Sequence, residues 1–523
     1  MSERGELAIV LHTHMPYVEG FGTWPFGEEW LWEAMASCYL PLSDLLASPA
    51  GAGLTLSLTP VLCDQLEAPD LAERFQRFCA EVRSFTHLED ARGLRAGGHH
   101  AAAAELERAL GLYRDAGERL RALRGDLLGA LLPHARLTSS ATHAILPLIA
   151  SQALLRAQVR GGVQSHLARL CGRPDAVRPP GGGPGAITEV AGGPAHSGWP
   201  GGFWLPECAH APHLDALLAD EGVRLTCVEL TSQLGAGARE HLRPLRSASG
   251  LCLVPIDRAT MDLVWSDHGY PSHPHYRDSH RRTIHNHNPW ANDGSVYDHA
   301  RARQAAESHA RDFVRRVRLR LQDAAHDLHA GGLAVFAADT ELFGHWWHEG
   351  PSWLRAVCHE CERQGLPLVP LDRARALRDP AKLPAAAAEW PATSWGEHND
   401  LSTWSYPRPT SARAHAGDGG QAGAVGEGVI AVADMAVATR AAELQVLRRR
   451  ARAGPAALRE LLALQASDWA FMTARGVAVP YAQERFGAHL HACLAALRAG
   501  PDADSGALRN LAPGADPRVL GEP

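Results

Sequence analysis

Two acids, each closing a short apolar run, mark where this chain could do chemistry. Leu333 to Pro351 opens as Leu-Ala-Val-Phe-Ala-Ala and ends in Asp339-Thr-Glu341-Leu-Phe-Gly344-His345-Trp346-Trp347-His348. A second run reads Gly202-Phe-Trp204-Leu-Pro206-Glu207-Cys-Ala-His210. Acids and aromatics at the exit of a buried parallel strand are where α/β enzymes place their reactive groups. An Asp that merely caps the next helix, over core tryptophans, would leave the same trace. Two carboxylates among Trp and His, with no phosphate-binding Gly loop, favour glycosidic-bond chemistry. One carboxylate attacks the anomeric carbon; the other protonates the leaving oxygen and then serves as base. Apolar walls beside Asp339 would keep it protonated, as an acid must be.

Other clusters leave more room. His12-Thr-His14-Met-Pro16-Tyr17 follows the run at residues 6–12, and two His flanking one residue bind metal, grip a polar ligand or simply pack. The aromatics of Phe21-Gly-Thr-Trp24-Pro-Phe26, Trp30 and Trp32 suit either a core or a wall on which sugar rings stack. His268, His273, His275, His280, His285 and His287 form a His-rich run whose spacings fit no single helix face or compact loop site, so no metal is expected there. Cys358 and Cys361 lack a second pair at zinc-ribbon spacing and belong on an amphipathic helix.

The elements that must position these residues alternate. Strands are expected at 6–12, 53–58, 136–140, 202–205, 223–228, 251–256, 333–338 and 366–371, with helices between. That order predicts an α/β fold built as a parallel barrel over residues 1–385. A helical insertion is expected at about 69–132, and Gly, Pro and Ala make 172–202 a flexible loop. A second flexible segment is expected at 411–428. Beyond it, helices are expected at 430–452, 455–474 and 478–499, forming a C-terminal helical domain over 386–523. At 523 residues the chain is too long for one core. Its net charge is −7 and Lys382 is its only lysine, so no nucleic-acid partner is indicated. No apolar stretch reaches membrane-spanning length. The opening Met-Ser-Glu-Arg-Gly-Glu has no signal-peptide character, and ten scattered cysteines fit a reducing cytoplasm.

Taken together, His12-Thr-His14-Met-Pro16-Tyr17, Ser140-Ala-Thr-His143, Trp204-Leu-Pro206-Glu207-Cys-Ala, Asp339-Thr-Glu341-Leu-Phe-Gly344-His345-Trp346-Trp347 and Ser467-Asp468-Trp469 resemble the five ordered motifs of glycoside hydrolase family 57. They sit nearest its 1,4-α-glucan branching enzymes, and the resemblance spans nearly the whole chain. It implies a (β/α)7 barrel with an inserted helical subdomain and a C-terminal helical domain closing the cleft. It implies Glu207 as nucleophile and Asp339 as general acid/base of a retaining double displacement. His12, His14, Trp30 and His143 would line the donor site. Trp265, Trp395, Trp404 and Asp468 would extend the groove for an α-1,4-glucan, with Arg258 as a further ligand. No metal and no organic cofactor are implied, and the oligomeric state is left open.

The chain also departs from that pattern. Where branching enzymes of the family carry a long loop with a tyrosine at its tip, residues 234–244 offer Leu-Gly-Ala-Gly-Ala-Arg-Glu-His241-Leu-Arg-Pro, without Tyr or Trp. Gly235 and Gly237 make this loop mobile by expectation. An α-glucan hydrolase or a 4-α-glucanotransferase would share every donor-side residue. A glucan-binding protein without turnover would not need both acids, and a metal-dependent deacetylase would want an Asp-His-His set.

Overall fold

The computed structural model describes residues 5–172, 198–325, 331–406, 422–504, 508 and 510–522. The first strand, β1 (Glu6–Thr13), is buried along its whole length. That is what an apolar run on both faces requires. Next come β2 (Leu54–Leu58), β3 (Ala135–Ser139), β4 (Gly202–Trp204), β5 (Leu225–Val228), the two-residue β6 (Leu245–Arg246), β7 (Cys252–Pro255) and β8 (Leu333–Asp339). The sheet order is β6-β7-β5-β4-β3-β2-β1-β8. Every pairing is parallel except β6 with β7. The sheet curls until the N–H of Asp257, just past β7, donates to the carbonyl of Val335 in β8 at 2.9 Å. Seven parallel strands therefore come round on themselves, the (β/α)7 arrangement expected.

Strand parity then decides which residues face inward. On β1, Leu7, Ile9 and Leu11 pack outward with Leu56, Phe336 and the surrounding helices. Ala8 and Val10 join Leu137, Trp204, Cys227, Val254, Val335 and Ala337 in a separate inner cluster. Side chains alternate with a period of two, so His12 continues the inner face of Ala8 and Val10. Asp339 likewise continues that of Val335 and Ala337. His12 and Asp339 are register partners across β1 and β8.

The strand expected at 366–371 is not formed. Leu368 makes one isolated parallel bridge to Leu7, with the Leu7 N–H donating to Pro367 and the Val369 N–H to Leu7. Pro367 and Pro370 have no N–H to extend the ladder.

Between β2 and β3 run helices at Leu71–Arg77, Arg83–Ala96 and His100–Ala122. One of their acids uses the His-rich run, Asp90 pairing with His285 at 2.7 Å, while Glu105 pairs with Arg277 at 2.7 Å and His299 at 3.0 Å. Among the described residues no His, Cys, Asp and Glu group is arranged to hold a metal. Cys358 and Cys361 are buried on the helix Gly350–Gln364. Residues 173–197 of the expected 172–202 loop lie outside the described residues.

At the C-terminal end, 407–421 also lie outside the described residues; the rest of the segment expected to be flexible at 411–428 is helical, within Ala422–Arg448. The single helix expected at 455–474 is two, Pro455–Leu464 and Ser467–Arg475. Ala466 between them is extended and bridges Ala144, while the Ser467 N–H donates to the His143 carbonyl at 3.0 Å. The break turns Ser467 and Asp468 onto the barrel mouth. The third helix is Val479–Ala499.

Candidate active site

Five side chains form one hydrogen-bonded chain into the barrel mouth. Ser57 Oγ lies 3.0 Å from His12 Nδ1, and His12 Nε2 lies 2.9 Å from His143 Nε2. His143 Nδ1 lies 2.9 Å from Ser467 Oγ, which donates to Glu207 Oε1 at 3.3 Å. An ionised carboxylate only accepts, so the Ser467 hydroxyl proton points at Glu207. His143 must then donate through Nδ1 and accept through Nε2, His12 must donate through Nε2, and Ser57 must donate to His12. Both imidazoles are neutral in that order. Their pKa values are indeed held well below the ordinary value, by burial first and by neighbouring histidines second.

Glu207 sits in a turn the backbone adopts at a cost. Glu207 and Cys208 have φ of 60° and 50°, the left-handed region, just after Pro206. Such residues cost on the order of 1 kcal/mol or more and persist where the surroundings fix them. Here Trp395 does so twice: its backbone N–H donates to the Glu207 carbonyl at 3.0 Å, and its indole N–H donates to Oε2 at 2.8 Å. The Trp395 ring tilts against Trp204, centroids 5.1 Å apart, and Trp204 stacks on His12 at 4.8 Å. Burial pushes the Glu207 carboxyl up; the Trp395 bond opposes it, Asp468 adds to it, and His14 and Ser467 oppose it.

Asp339 is in a harsher place. Burial first, then the charges of Glu207 and Glu341, push it well above the carboxylate range. His14 bridges the two sides of the mouth. Its Nε2 meets Asp468 Oδ1 at 3.0 Å, its Nδ1 faces Thr59 Oγ1 at 3.3 Å, and its ring stacks on His143 at 3.8 Å. Burial lowers its pKa, but the Asp468 charge and hydrogen bond, with Glu341 and Glu207 behind them, raise it above the ordinary value overall. Burial pushes both carboxyls upward, Asp339 further, and hydrogen bonds from Trp395 and Ser467 oppose that push at Glu207, the asymmetry an acid–nucleophile pair needs.

The structure thus gathers His12, His14, His143, Glu207, Asp339, Trp395 and Asp468. The other expected ligands have their contacts elsewhere. Trp30 packs against Phe26 and Tyr481. Arg258 pairs with Glu229 at 3.0 Å, on the helix Arg258–Trp265 that ends in a Trp265 45% exposed. Trp404 is 4% exposed and packs with Ile145 and Ala209. The expectation that its ring faces sugar is corrected, because that ring closes a small core. Trp395 presents its N–H edge to Glu207.

Sequence reasoning passed over Ser57, Tyr39 and Ser467, and gave Glu341 no role. Tyr39 OH donates to Glu341 Oε1 at 2.5 Å. Ser467 and Glu341 stood inside the quoted motifs, one before Asp468 and two after Asp339. Tyr39 carried no local signal. The mobile loop expected at 234–244 is also corrected over its second half. His241 is fully buried with Nδ1 donating to the Ile256 carbonyl at 3.1 Å, and Arg320 donates to the carbonyls of Gly237 and Ala238 at 3.3 and 2.7 Å.

Comparison with known proteins agrees with this geometry. Residues 197–380 match the family described as Glycosyl hydrolase family 57, and 430–510 that described as 1,4-alpha-glucan branching enzyme, C-terminal. A 1,4-alpha-glucan branching enzyme of Thermococcus kodakarensis is 28% identical, over 92% of this chain and 72% of its own. A probable 1,4-alpha-glucan branching enzyme of Mycobacterium tuberculosis is 30% identical, over 93% of this chain and 90% of its own. The crystal structure of a GH57-type branching enzyme from Pyrococcus horikoshii superposes with a TM-score of 0.75 at 27% identity, covering 93% of this chain and 88% of that one.

Proposed function

The chain belongs to glycoside hydrolase family 57, and from that premise we propose that it is a 1,4-α-glucan branching enzyme whose acid and nucleophile are Asp339 and Glu207. The observation that carries this is the contrast between the two carboxyls: Glu207 accepts two hydrogen bonds, whereas Asp339 faces burial and two negative charges. In the first step Glu207 attacks the anomeric carbon of an α-1,4-linked glucose as Asp339 gives its proton to the departing O4. The product is a glycosyl ester on Glu207 and a shortened glucan. Esterification removes the charge of Glu207, so Asp339 holds a proton less tightly and is fit to act as base. In the second step the 6-hydroxyl of an acceptor glucan attacks the anomeric carbon, its proton passes to Asp339, and Glu207 leaves as carboxylate. An α-1,6 branch results and the enzyme is restored.

His12, His14, His143 and Asp468 line the donor side in this proposal, and Trp395 serves the nucleophile. Trp30, Arg258 and Trp265 are left for the outer groove. The barrel would comprise 1–385 and the helical domain 386–523, and the latter is needed for chemistry because Ser467 and Asp468 come from it. Ten free cysteines fit a reducing, cytoplasmic setting. Hydrolysis is a second outcome of the same intermediate, favoured by one observation: residues 234–244 offer no aromatic ring to keep water from it. Glu207→Ala and Asp339→Ala, assayed by loss of amylose–iodine colour, should each keep less than about 1% of activity. Substantial turnover by either variant would remove that residue from the mechanism.

A further inference from the structure

Between Asp339 and the helical turn Met35–Tyr39 lies a third buried-side carboxyl that the two-acid mechanism does not use. Glu341 follows Asp339 by two residues, on the single turn Thr340–Leu342 that leaves β8. Its Oε1 accepts from Tyr39 OH at 2.5 Å and from the His14 backbone N–H at 3.3 Å. Tyr39 is fully buried, and its phenol also reaches the His14 carbonyl at 3.3 Å. The main chain around Glu341 is equally fixed. Gly344, φ 120°, lies so close to the carbonyl of Ser37 that a Cβ there would sit 2.0 Å from it. A carboxyl so placed has neither a cationic arginine nor a lysine among these partners, and it is not spent on an ion pair.

We propose that Glu341 is a positioning residue which keeps the proton on Asp339 through the first chemical step, and that Tyr39 serves it by holding its carboxylate. The role exists only if Asp339 is the acid of the reaction proposed above.

The groups facing this pair are known from every side. From the turn after β4 come Glu207 and Cys208, from β1 comes His12, and from just past β1 comes His14, tied to Asp468. From the Met35–Tyr39 turn come Cys38 and Tyr39. Both of these are pushed upward by burial and stay neutral, so Tyr39 remains a donor. His14 is the cation of the set; it pairs with Asp468 and lies near Glu341 as well as Glu207. The charges that push on Asp339 are Glu207 and Glu341. Glu207 loses its charge when it becomes esterified, and Glu341 does not. Where it is ionised, Glu341 would hold Asp339 protonated before the first step; the transient charge of Glu207 would supply the change that lets it act as base afterwards. Burial pushes Glu341 itself up to about 7, against the Tyr39 bond that lowers it, so its charge depends on that phenol.

The test is the pH profile of kcat/KM on amylose for the native enzyme, Glu341→Gln and Tyr39→Phe. The alkaline limb reports the free enzyme's acid, and activity falls as pH rises through its pKa. Removing a negative charge beside Asp339 lowers that pKa, so the limb should move to lower pH by on the order of one unit in Glu341→Gln. Tyr39→Phe should move it the same way by less, because Glu341 then protonates at higher pH. Activity well below the limb should fall less than about tenfold. A variant that loses activity at all pH values with its limb in place would overturn the proposal and make Glu341 structural. Tyr39→Phe, which removes one oxygen, carries the test if Glu341→Gln does not fold. Asp339→Ala separates the two failures: full activity there refutes the acid itself, whereas an inactive Asp339→Ala with unmoved limbs in the other variants refutes only the part given to Glu341.

Discussion

Replacing Trp395 by Phe keeps an aromatic ring on the Trp204 side and removes the pyrrole half of the indole, with the N–H that lies 2.8 Å from Glu207 Oε2. A hydrogen bond to a charged acceptor contributes about 1.5–3 kcal/mol. One pKa unit corresponds to about 1.4 kcal/mol, so full loss would raise the Glu207 pKa by about one to two units. Glu207 is half-buried, and water entering at the cleft would replace part of the bond, which favours the lower end. The nucleophile must be ionised, so activity rises as pH climbs through its pKa. Raising that pKa moves the acid limb of kcat/KM upward by about one unit and leaves the alkaline limb, set by Asp339, near its place. The assay is initial-rate branching of amylose from about pH 4 to 9. An acid limb shifted by less than roughly 0.3 units would refute the assignment of Trp395 as the group that keeps Glu207 ionised.

Trp404→Ala should cost about 3–5 kcal/mol of stability, because the ring is buried beside Ile145, Ala209 and Gly396. Glucan affinity per folded molecule should not change, as denaturant unfolding and a binding isotherm on the same sample would show. Asp468→Asn tests the pair between Asp468 and His14. His14 has a raised pKa in the folded protein, so the pair's contribution is full below roughly pH 6.5 and fades as pH rises through the folded value. The difference in Tm between native and variant should therefore be largest in mild acid and shrink above neutrality; a gap independent of pH would mean that His14 is uncharged there.

The strands β1 and β8 were legible because each holds an apolar run ending in a marked residue, as with Leu333 to Asp339. Parity then fixes that His12 and Asp339 point inward. Harder to see was the break at Gln465-Ala466. Pro455–Leu464 and Ser467–Arg475 both have helical periodicity, and the two-residue kink exists because Ala466 bridges Ala144 on the barrel. That is a long-range contact with no local signature. Tyr39 was illegible for the same reason: its partner Glu341 lies 302 residues away. Trp404 shows the converse error. It was expected in the groove only through the resemblance, and the chain folds it under Ile145 and Ala209.

Incubation of the native enzyme with amylose, counting new α-1,6 linkages against new reducing ends, tests the central claim most directly. Transfer from Glu207 to a glucan hydroxyl predicts α-1,6 linkages in clear excess over reducing ends. Reducing ends accumulating without α-1,6 linkages would show that water takes the glycosyl group, and would contradict the assignment as a branching enzyme.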